Sequence, residues 1–249
     1  MQAIFEKNFL VRTTDVDYAD HCRPSAILGF FQEMAVDHAE DLNISRDYLL
    51  ENYHAVWLLA RLWYQLDRPL LVGEELTFRT WHRGPDKLYV YRDFQILSQG
   101  QEIGRAVSVW IVADVDNRKI LRPEHVENIV ASPIPEQLPD RTLKLIHSPK
   151  LLEPAYEKTV RWSDVDLNGH MNNTKYADAA MDAFAMEELS GHFLAELQLN
   201  YSQECAPGEK IMMSRCPVED RWYVEGMGAD GVRRFETLLK FLPNPCRKG

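Results

Sequence analysis

The chain has 249 residues, 38 acidic against 28 basic side chains, and a formal net charge of −10. A composition of 45% hydrophobic and 27% charged residues is typical of a folded globular protein with a sizeable core, spread over one or two domains. The net negative charge argues against nucleic acid as the main partner, and no apolar run is long enough to span a membrane.

Cysteine usage and the N-terminal sequence together predict a compartment. The four cysteines, at positions 22, 205, 216 and 246, form no CxxC pair, which disfavours a zinc ribbon and a disulfide framework. The first ten residues lack the apolar core of a signal peptide and the Arg- and Ser-rich character of an import sequence. We therefore expect a cytoplasmic protein.

The first half predicts a polar turn, one helix and a run of strands. The turn spans residues 11–21, and the helix runs from Pro24 to about Glu40 with Ile27, Phe31 and Met34 on one face. Runs rich in Val, Tyr, Trp and Phe, separated by turn signals such as Gly-Pro and Asp-Asn, predict antiparallel strands. These strands are expected at 55–66, 75–81, 88–97 and 103–112.

A proline-rich stretch follows and predicts a linker between two domains. Prolines stand at positions 123, 133, 135, 139 and 149. We expect an N-terminal domain at 1–125, a linker at 126–150 and a C-terminal domain at 151–249.

The second half repeats the plan of the first. Residues 160–170 (VRWSDVDLNGH) match residues 11–21 (VRTTDVDYADH) at six positions, at an offset of 149 residues. A helix is predicted from Thr174 to about Leu189, ended by Gly191 as its cap. Strands are expected at 194–202, 210–216, 221–226 and 233–241. The chain is therefore predicted to be a duplicated α+β protein, in which the two halves pair through their sheets as a pseudo-dimer.

The second copy of the turn carries the candidate chemistry. Asp166, Asn168 and His170 alternate in an irregular strand-to-helix turn, where they could converge on one water or one carbonyl group. The first residues of a helix also present unpaired N–H groups, which suit a developing oxyanion. The alternative is that Asp and Asn cap the helix while His170 is structural. Because Ala19 stands in the first copy where Asn168 stands in the second, we expect the second copy to be the reactive half.

Three other patterns are weaker. The calcium-loop pattern that starts at Asp164 has Lys175 where a bidentate Glu is required. The glycine pattern at 226–231 has only 18 residues after it, too few for a dinucleotide-binding unit. Cys205 could form a nucleophilic trio with His170 and Asn168, but a neighbouring carboxylate at Glu204 would disfavour a thiolate. We expect neither a metal nor a cofactor.

Two segments of the second half resemble the acyl-acyl carrier protein thioesterase family. Residues 162–176 read WSDVDLNGHMNNTKY, similar to that family's Asp-x-Asn-x-His-x-Asn-Asn-x-x-Tyr signature. Residues 201–205 read YSQEC, similar to the Glu-Cys pair on a strand that follows the second helix. The resemblance covers nearly the whole chain and implies a double hot-dog fold, in which each half is an antiparallel sheet wrapped around one long helix. Without an import segment, the chain looks like a bacterial member.

The resemblance also implies a catalytic set. It places Asp166, Asn168, His170 and Glu204 in that set, while Cys205 matches a position whose role is less settled. Between the signature positions, Gly169 and Met171 replace residues that are common in the family.

The implied reaction is hydrolysis of fatty acyl-acyl carrier protein, which releases free fatty acid and ends elongation. It needs a positioned water, a proton acceptor and stabilisation of a tetrahedral oxyanion. Either Glu204 or His170, steered by Asp166, would activate the water, and Asn168 would orient it or the thioester carbonyl. Backbone N–H groups near Asn172 and Asn173 would face the oxyanion.

Substrate recognition needs an apolar tunnel for the acyl chain and a docking surface for the carrier. Tunnel candidates lie on the first helix and first long strand, with plain core packing as the alternative: Ile27, Phe30, Phe31, Met34, Trp57 and Leu59. The resemblance implies an acidic carrier, so a chain of charge −10 would dock it through a local basic patch. The candidates, for which a solvated sheet edge is the alternative, are Arg79, Arg83, Lys87, Arg92, Arg118, Lys119 and Arg122.

Other functions remain open at this point. An acyl-CoA thioesterase would use the same chemistry on a different carrier. A non-catalytic acyl-binding module or a dehydratase is less favoured, because neither needs this combination of polar residues. Both a monomer and a homodimer are compatible with the duplication.

Overall fold

The computed structural model describes residues 3–129 and 143–245. The described residues form two compact units: one draws on residues 3–10, 30–63, 74–129 and 143, the other on residues 11–29, 64–73 and 144–245. The expected domain boundaries at 125 and 150 stay a prediction. Most of the expected linker, including the prolines at 133, 135 and 139, lies outside the described residues.

Each of two similar series consists of one strand, two α-helices and then a run of strands. The helices are α1 (Pro24–Asp41), α2 (Arg46–Tyr53), α3 (Lys175–Met181) and α4 (Met186–Leu189). The strands of the first series are β1 (Phe5–Leu10), β2 (Ala55–Leu66), β3 (Glu75–Asp86), β4 (Tyr89–Ser98), β5 (Gln101–Asp114) and β6 (Ile120–Leu121). Those of the second series are β7 (Glu153–Thr159), β8 (His192–Tyr201), β9 (Lys210–Val218), β10 (Arg221–Gly228) and β11 (Arg233–Pro243).

Both series pair their strands in antiparallel ladders. The first has the order β1-β3-β4-β5-β2, with β6 on β5, and the second has the order β8-β11-β10-β9-β7. Large antiparallel ladders with few helices confirm the predicted α+β class. Among the described residues, none of the helices combines the length and apolar character that crossing a membrane would require.

All eight predicted strands are present, and β3 is longer than expected. It continues past residue 81 to Asp86, and its register on β4 shifts between His82 and Gly84. The Gly-Pro pair expected to turn the chain therefore lies within the strand, and the hairpin turns instead at Lys87, which has a φ of 58°. A bulge absorbs the irregular residue without ending the ladder.

Helix α1 confirms the first predicted helix and packs on the first series of strands. The ring of Phe31 lies 4.8 Å from that of Phe94 on β4 and 5.7 Å from that of Phe78 on β3. Helix α2 was not predicted. It begins after Ser45, whose hydroxyl accepts a hydrogen bond from the Tyr48 amide at 3.4 Å.

The second predicted helix is wrong in its length, because the chain breaks it into α3 and α4. After Asp182 the hydrogen bonds become i−3 turns, and Ala185 is extended. Phe184 at the break packs its ring 5.3 Å from that of Trp222 and 5.4 Å from that of Phe241. Burying this large ring favours the break over a continuous helix.

A buried cationic cluster lies between α1, β3 and β4, and it corrects the predicted docking patch. Arg92 is almost fully buried, and its guanidinium donates to His38 Nδ1 at 2.9 Å, Thr80 Oγ1 at 3.2 Å and His82 Nε2. Burial lowers the pKa of Arg92 to about 9. A side chain in this position cannot touch a carrier protein.

Two further members of the predicted patch are paired with acids. Arg83 makes a bidentate ion pair with the buried Asp93, at 2.6 and 2.7 Å. Arg79 lies 2.6 Å from a carboxylate oxygen of Glu6. Their charges are therefore already satisfied within the chain.

Two glycines offer a test of packing with opposite expected signs. A Cβ on Gly226 in β10 would overlap the ring of Phe235 and lie 2.9 Å from Ile211 Cγ2, whereas a Cβ on Gly29 in α1 would meet nothing within 4 Å. We expect Gly226→Ala to lower the free energy of unfolding by about 1–3 kcal/mol through overpacking. Gly29→Ala should raise it by about 0.5–1 kcal/mol, because alanine favours a helix. Urea unfolding of both variants beside the wild type measures this. A Gly226→Ala protein as stable as the wild type would contradict the described packing of β10.

Candidate active site

The two copies of the polar turn fold into the same hydrogen-bonded loop. We call residues 11–23 the first-copy loop and residues 160–172 the second-copy loop. In the first, the Asp17 amide donates to the His21 carbonyl at 2.8 Å; in the second, the Asp166 amide donates to the His170 carbonyl at 3.0 Å. Single β-bridges close both loops, Val16 to Cys22 and Val165 to Met171. The repeat predicted from sequence is therefore also a structural repeat.

A buried aspartate anchors the second-copy loop. Asp164 is 8% exposed, and its carboxylate accepts a hydrogen bond from the Arg161 amide at 2.8 Å and from Lys158 Nζ at 3.0 Å. Its backbone carbonyl accepts from the Asn172 amide at 2.8 Å. Lys158 neutralises the carboxylate, so the loop is held without an uncompensated buried charge.

Asp166 organises the middle of the loop. Its two carboxylate oxygens accept one hydrogen bond each, from the Asn168 amide at 2.8 Å and from Asn172 Nδ2 at 3.1 Å. Asn172 is fixed in turn, because its Oδ1 accepts from the amide and the hydroxyl of Thr174 at 2.9 and 2.7 Å. Asp166 therefore sets the shape of the loop that carries Asn168, rather than contacting His170.

His170 and Glu204 come together as neighbours across the end of the loop. The Met171 amide donates to the Cys205 carbonyl at 2.9 Å. This bond brings together the two preceding residues, His170 and Glu204. His170 Nε2 lies 3.5 Å from Glu204 Oε2, and the side chains are 34% and 44% exposed. A histidine–carboxylate contact with this exposure is within reach of a water from solvent, and contacts of this kind commonly shorten when a substrate binds.

Two predicted backbone donors differ in what they can do. The Asn172 N–H is already bonded to the Asp164 carbonyl, so it cannot face an oxyanion. For Asn173, no such bond occurs among the described residues, and its carbonyl accepts from the Tyr201 hydroxyl at 2.9 Å. The side-chain amide of Asn168 is exposed and makes no hydrogen bond within the described chain.

Cys205 is a buried packing residue. It is fully buried, and its amide donates to the Tyr176 hydroxyl at 3.1 Å. Burial, more than the nearby carboxylate of Glu209, raises the pKa of this thiol to about 11. The expectation that Glu204 would be the perturbing acid names the wrong group. A thiol that stays protonated at neutral pH is a poor nucleophile.

Sequence reasoning missed the residues that hold the two motif segments together. Tyr176 supports Cys205, and its ring packs edge-on against Tyr201 at 5.3 Å and Phe235 at 5.1 Å. Tyr176 ends the quoted signature and Tyr201 begins the second segment, so their place in the motifs was the available signal.

The first-copy loop has no counterpart of the Glu204 carboxylate and none of the Asn168 side-chain amide. The Cys22 amide donates to the Leu70 carbonyl, as Met171 donates to Cys205, so Pro69 occupies the place of Glu204. His21 instead contacts Asn244 Nδ2 at 2.9 Å. A cavity of about 40 Å³ borders this loop, lined by Asp17, His21, Tyr64, Met181, His192 and Phe241 among others. It has room for water, not for an acyl chain.

The predicted tunnel residues are mostly packed within the first series. Ile27, Phe31 and Met34 are almost fully buried, and Trp57 donates its indole N–H to the Ile44 carbonyl at 2.8 Å. Phe30 and Leu59 are half-buried. Their role in binding an acyl chain stays a prediction. Across the described residues, no group of three or more His, Cys, Asp or Glu side chains is arranged to hold a metal ion.

Comparison with known proteins shows which family the sequence matches. Residues 2–131 match the model of the acyl-ACP thioesterase N-terminal domain, and residues 151–230 match that of the C-terminal domain. A chloroplastic acyl-[acyl-carrier-protein] hydrolase of Cuphea viscosissima is 26% identical over 95% of this chain and 59% of its own length. A chloroplastic oleoyl-acyl carrier protein thioesterase of Arabidopsis thaliana is 26% identical over 83% of this chain and 62% of its own. The chain thus spans about 60% of the length of these curated relatives.

Solved structures share the fold. An acyl-ACP thioesterase from Bacteroides thetaiotaomicron superposes with a TM-score of 0.82 at 23% identity, covering 96% of this chain and 98% of the other. A 12:0-ACP thioesterase from Umbellularia californica superposes with a TM-score of 0.79 at 16% identity, covering 98% and 99%. These likenesses confirm the hot-dog architecture expected from the sequence. Because both of its domain models match in order along the sequence, the chain belongs to the acyl-ACP thioesterase family.

Proposed function

We propose that this chain hydrolyses the thioester of fatty acyl-acyl carrier protein, releasing free fatty acid and ending its elongation. The observation that carries the proposal is the His170–Glu204 pair, 3.5 Å apart and open to solvent, with the exposed Asn168 two residues before His170 in the same loop. Family membership supplies the substrate class, since the relatives are named as hydrolases and thioesterases of acyl carrier protein esters.

The pair would act as the base that activates water. Glu204 takes a proton from the water, directly or through His170, while the water oxygen bonds to the thioester carbonyl carbon. The carbonyl carbon becomes tetrahedral and its oxygen becomes an oxyanion. The side-chain amide of Asn168 and the backbone N–H of Asn173 are the proposed hydrogen-bond donors to this oxyanion. When the oxyanion collapses, the carbon–sulfur bond breaks and the leaving thiolate takes up the proton held by the base. The products are the free acid and the carrier thiol, and no covalent enzyme intermediate forms.

Asp166 contributes by geometry. Because its carboxylate accepts from the Asn168 amide and from Asn172, it fixes the shape of the loop that carries Asn168 and His170.

We also propose that the protein is cytoplasmic. The described cysteines, Cys22, Cys205 and Cys216, are all free thiols, as a reducing compartment favours.

The proposed function is tested by thiol release from a chain-length panel of acyl carrier protein thioesters, run beside the matching acyl-CoAs. We expect higher kcat/KM for the carrier-protein series. A higher kcat/KM for the CoA series would instead make the protein an acyl-CoA thioesterase. Saturable binding of acyl carrier protein thioesters without turnover would make it an acyl-binding module.

Neighbouring residues 204 and 205 offer a matched pair of variants. We expect Glu204→Gln to lower kcat by about 10²–10⁴-fold, because the amide cannot accept the proton of water. Cys205→Ala should keep kcat within about tenfold of wild type, because only about one thiol in ten thousand is ionised at pH 7 when the pKa is about 11. Steady-state kinetics on one acyl carrier protein thioester compares them. The reverse ranking would replace the proposed base with a cysteine nucleophile.

The duplicated loops supply a second matched pair. Asp166→Ala and Asp17→Ala each remove an acceptor of main-chain N–H bonds from the same turn, so each should cost about 1 kcal/mol of unfolding free energy. Only Asp166→Ala should lower kcat, by about 100-fold, since only the second-copy loop carries Asn168 and His170. Turnover and thermal unfolding are measured on both variants. Equal losses of kcat would show that the loss comes from stability and not from the site.

A further inference from the structure

The second-copy loop carries an exposed tryptophan that the fold does not need. Trp162 is 94% exposed and Leu167, five residues on, is 82% exposed. Within the described chain the indole ring makes no aromatic or cation–π contact. Both side chains belong to one loop, and large apolar side chains that are grouped in water commonly mark a surface that binds another molecule.

The first-copy loop shows that packing does not explain these side chains. With the same hydrogen bonds, it carries Thr13 in the place of Trp162 and Tyr18 in the place of Leu167, and both are exposed. The turn therefore directs these two positions outward whatever residue fills them. The Tyr18 hydroxyl donates a hydrogen bond to the Met186 carbonyl at 3.1 Å, whereas the indole of Trp162 forms no hydrogen bond within the described residues.

The charges beside Trp162 favour an acidic partner. Arg161 is exposed, and Lys175 begins α3; neither side chain has an ion pair within the described chain. The carboxylates of the loop are satisfied internally, Asp164 by Lys158 and by an amide, and Asp166 by two donors. Asp166 keeps its negative charge, because both of its donors are neutral amides, so the loop as a whole is not positive. Next to Trp162, however, Arg161 is an exposed cation with no ion pair within the described chain, on a protein whose net charge is −10. An unpaired cation at this position can help to orient an acidic protein that the molecule as a whole repels.

We propose that Trp162, with Leu167 and Arg161, forms the docking surface for acyl carrier protein, so that the thioester arm enters beside Asn168 and His170. This rests on the proposed function. The proposed surface lies on the same hydrogen-bonded loop as Asn168 and His170, and Met171 of that loop is bonded to the residue after Glu204. A carrier seated on Trp162 therefore brings its thioester to the loop that carries two of the proposed catalytic groups. Tryptophan and arginine are the side chains that most often dominate binding energy at protein interfaces.

The experiment compares Trp162→Ala with Thr13→Ala, the equivalent change in the first-copy loop. Each variant is assayed on one acyl carrier protein thioester and on the same acyl chain carried by CoA. We expect Trp162→Ala to raise the KM for the carrier-protein substrate by about 10–30-fold relative to its effect on the CoA substrate. Thr13→Ala should change neither ratio. Arg161→Gln should also flatten the increase of the carrier-protein KM with salt, because it removes one screened contact.

Direct binding of unacylated holo-acyl carrier protein, followed by tryptophan fluorescence or calorimetry, separates the two proposals. Weakened binding to Trp162→Ala supports the docking surface even if the wild type fails to hydrolyse the thioester, which would overturn only the proposed function. Equal carrier affinity in Trp162→Ala and Thr13→Ala would overturn the docking surface. So would equal KM increases for both substrates, which would assign Trp162 to the shared pantetheine arm. A wild type that self-associates through Trp162 would assign the surface to a second copy of the chain.

Discussion

Main-chain hydrogen bonds that fasten the second-copy loop to the segment at 201–209 determine where every proposed catalytic group lies. Val160 exchanges bonds with Gly208 and Glu209 at one end, each at 2.9 Å, and Met171 donates to Cys205 at the other. Since His170 precedes Met171 and Glu204 precedes Cys205, the second bond brings these two side chains together. Without it, the two motif segments would lie in distant parts of the sequence with no reason to meet.

The same kind of constraint explains how the two loops can differ in their polar side chains and keep the same shape. In both loops the shared bonds run between backbone atoms and to two aspartate side chains, so they tolerate replacement of the other residues. Ala19 and Pro69 can therefore stand where Asn168 and Glu204 stand, and the first-copy loop still closes. A small cavity borders His21 in the first-copy loop, while the second-copy loop carries the proposed catalytic residues Asn168 and His170.

Burial separates structural from reactive groups throughout the described chain. Asp164, Arg92 and Cys205 are buried and committed to neighbours, and burial moves the pKa of the last two away from their ordinary values. His170 and Glu204 are about a third or more exposed, as the proposed reaction requires, because its groups must meet water and a substrate carried on a separate protein. The exposure of Trp162 beside them fits the same requirement, because a carrier-bound thioester needs an open approach.

The sequence by itself determined the duplication, the α+β class, all eight strands of the two meanders and the family. These features follow from local patterns: alternation along strands, turn residues, and a polar motif repeated at a fixed offset. It did not determine that the second helix breaks at Phe184, that Gly84 and Pro85 lie within β3, or that Arg92 is buried. Each of these depends on side chains distant in sequence, such as Trp222, Phe241 and His38. Tertiary structure alone decided which polar residues meet, because Asp166 bonds within its own loop while Glu204 reaches His170 through a backbone bond between segments more than thirty residues apart in sequence.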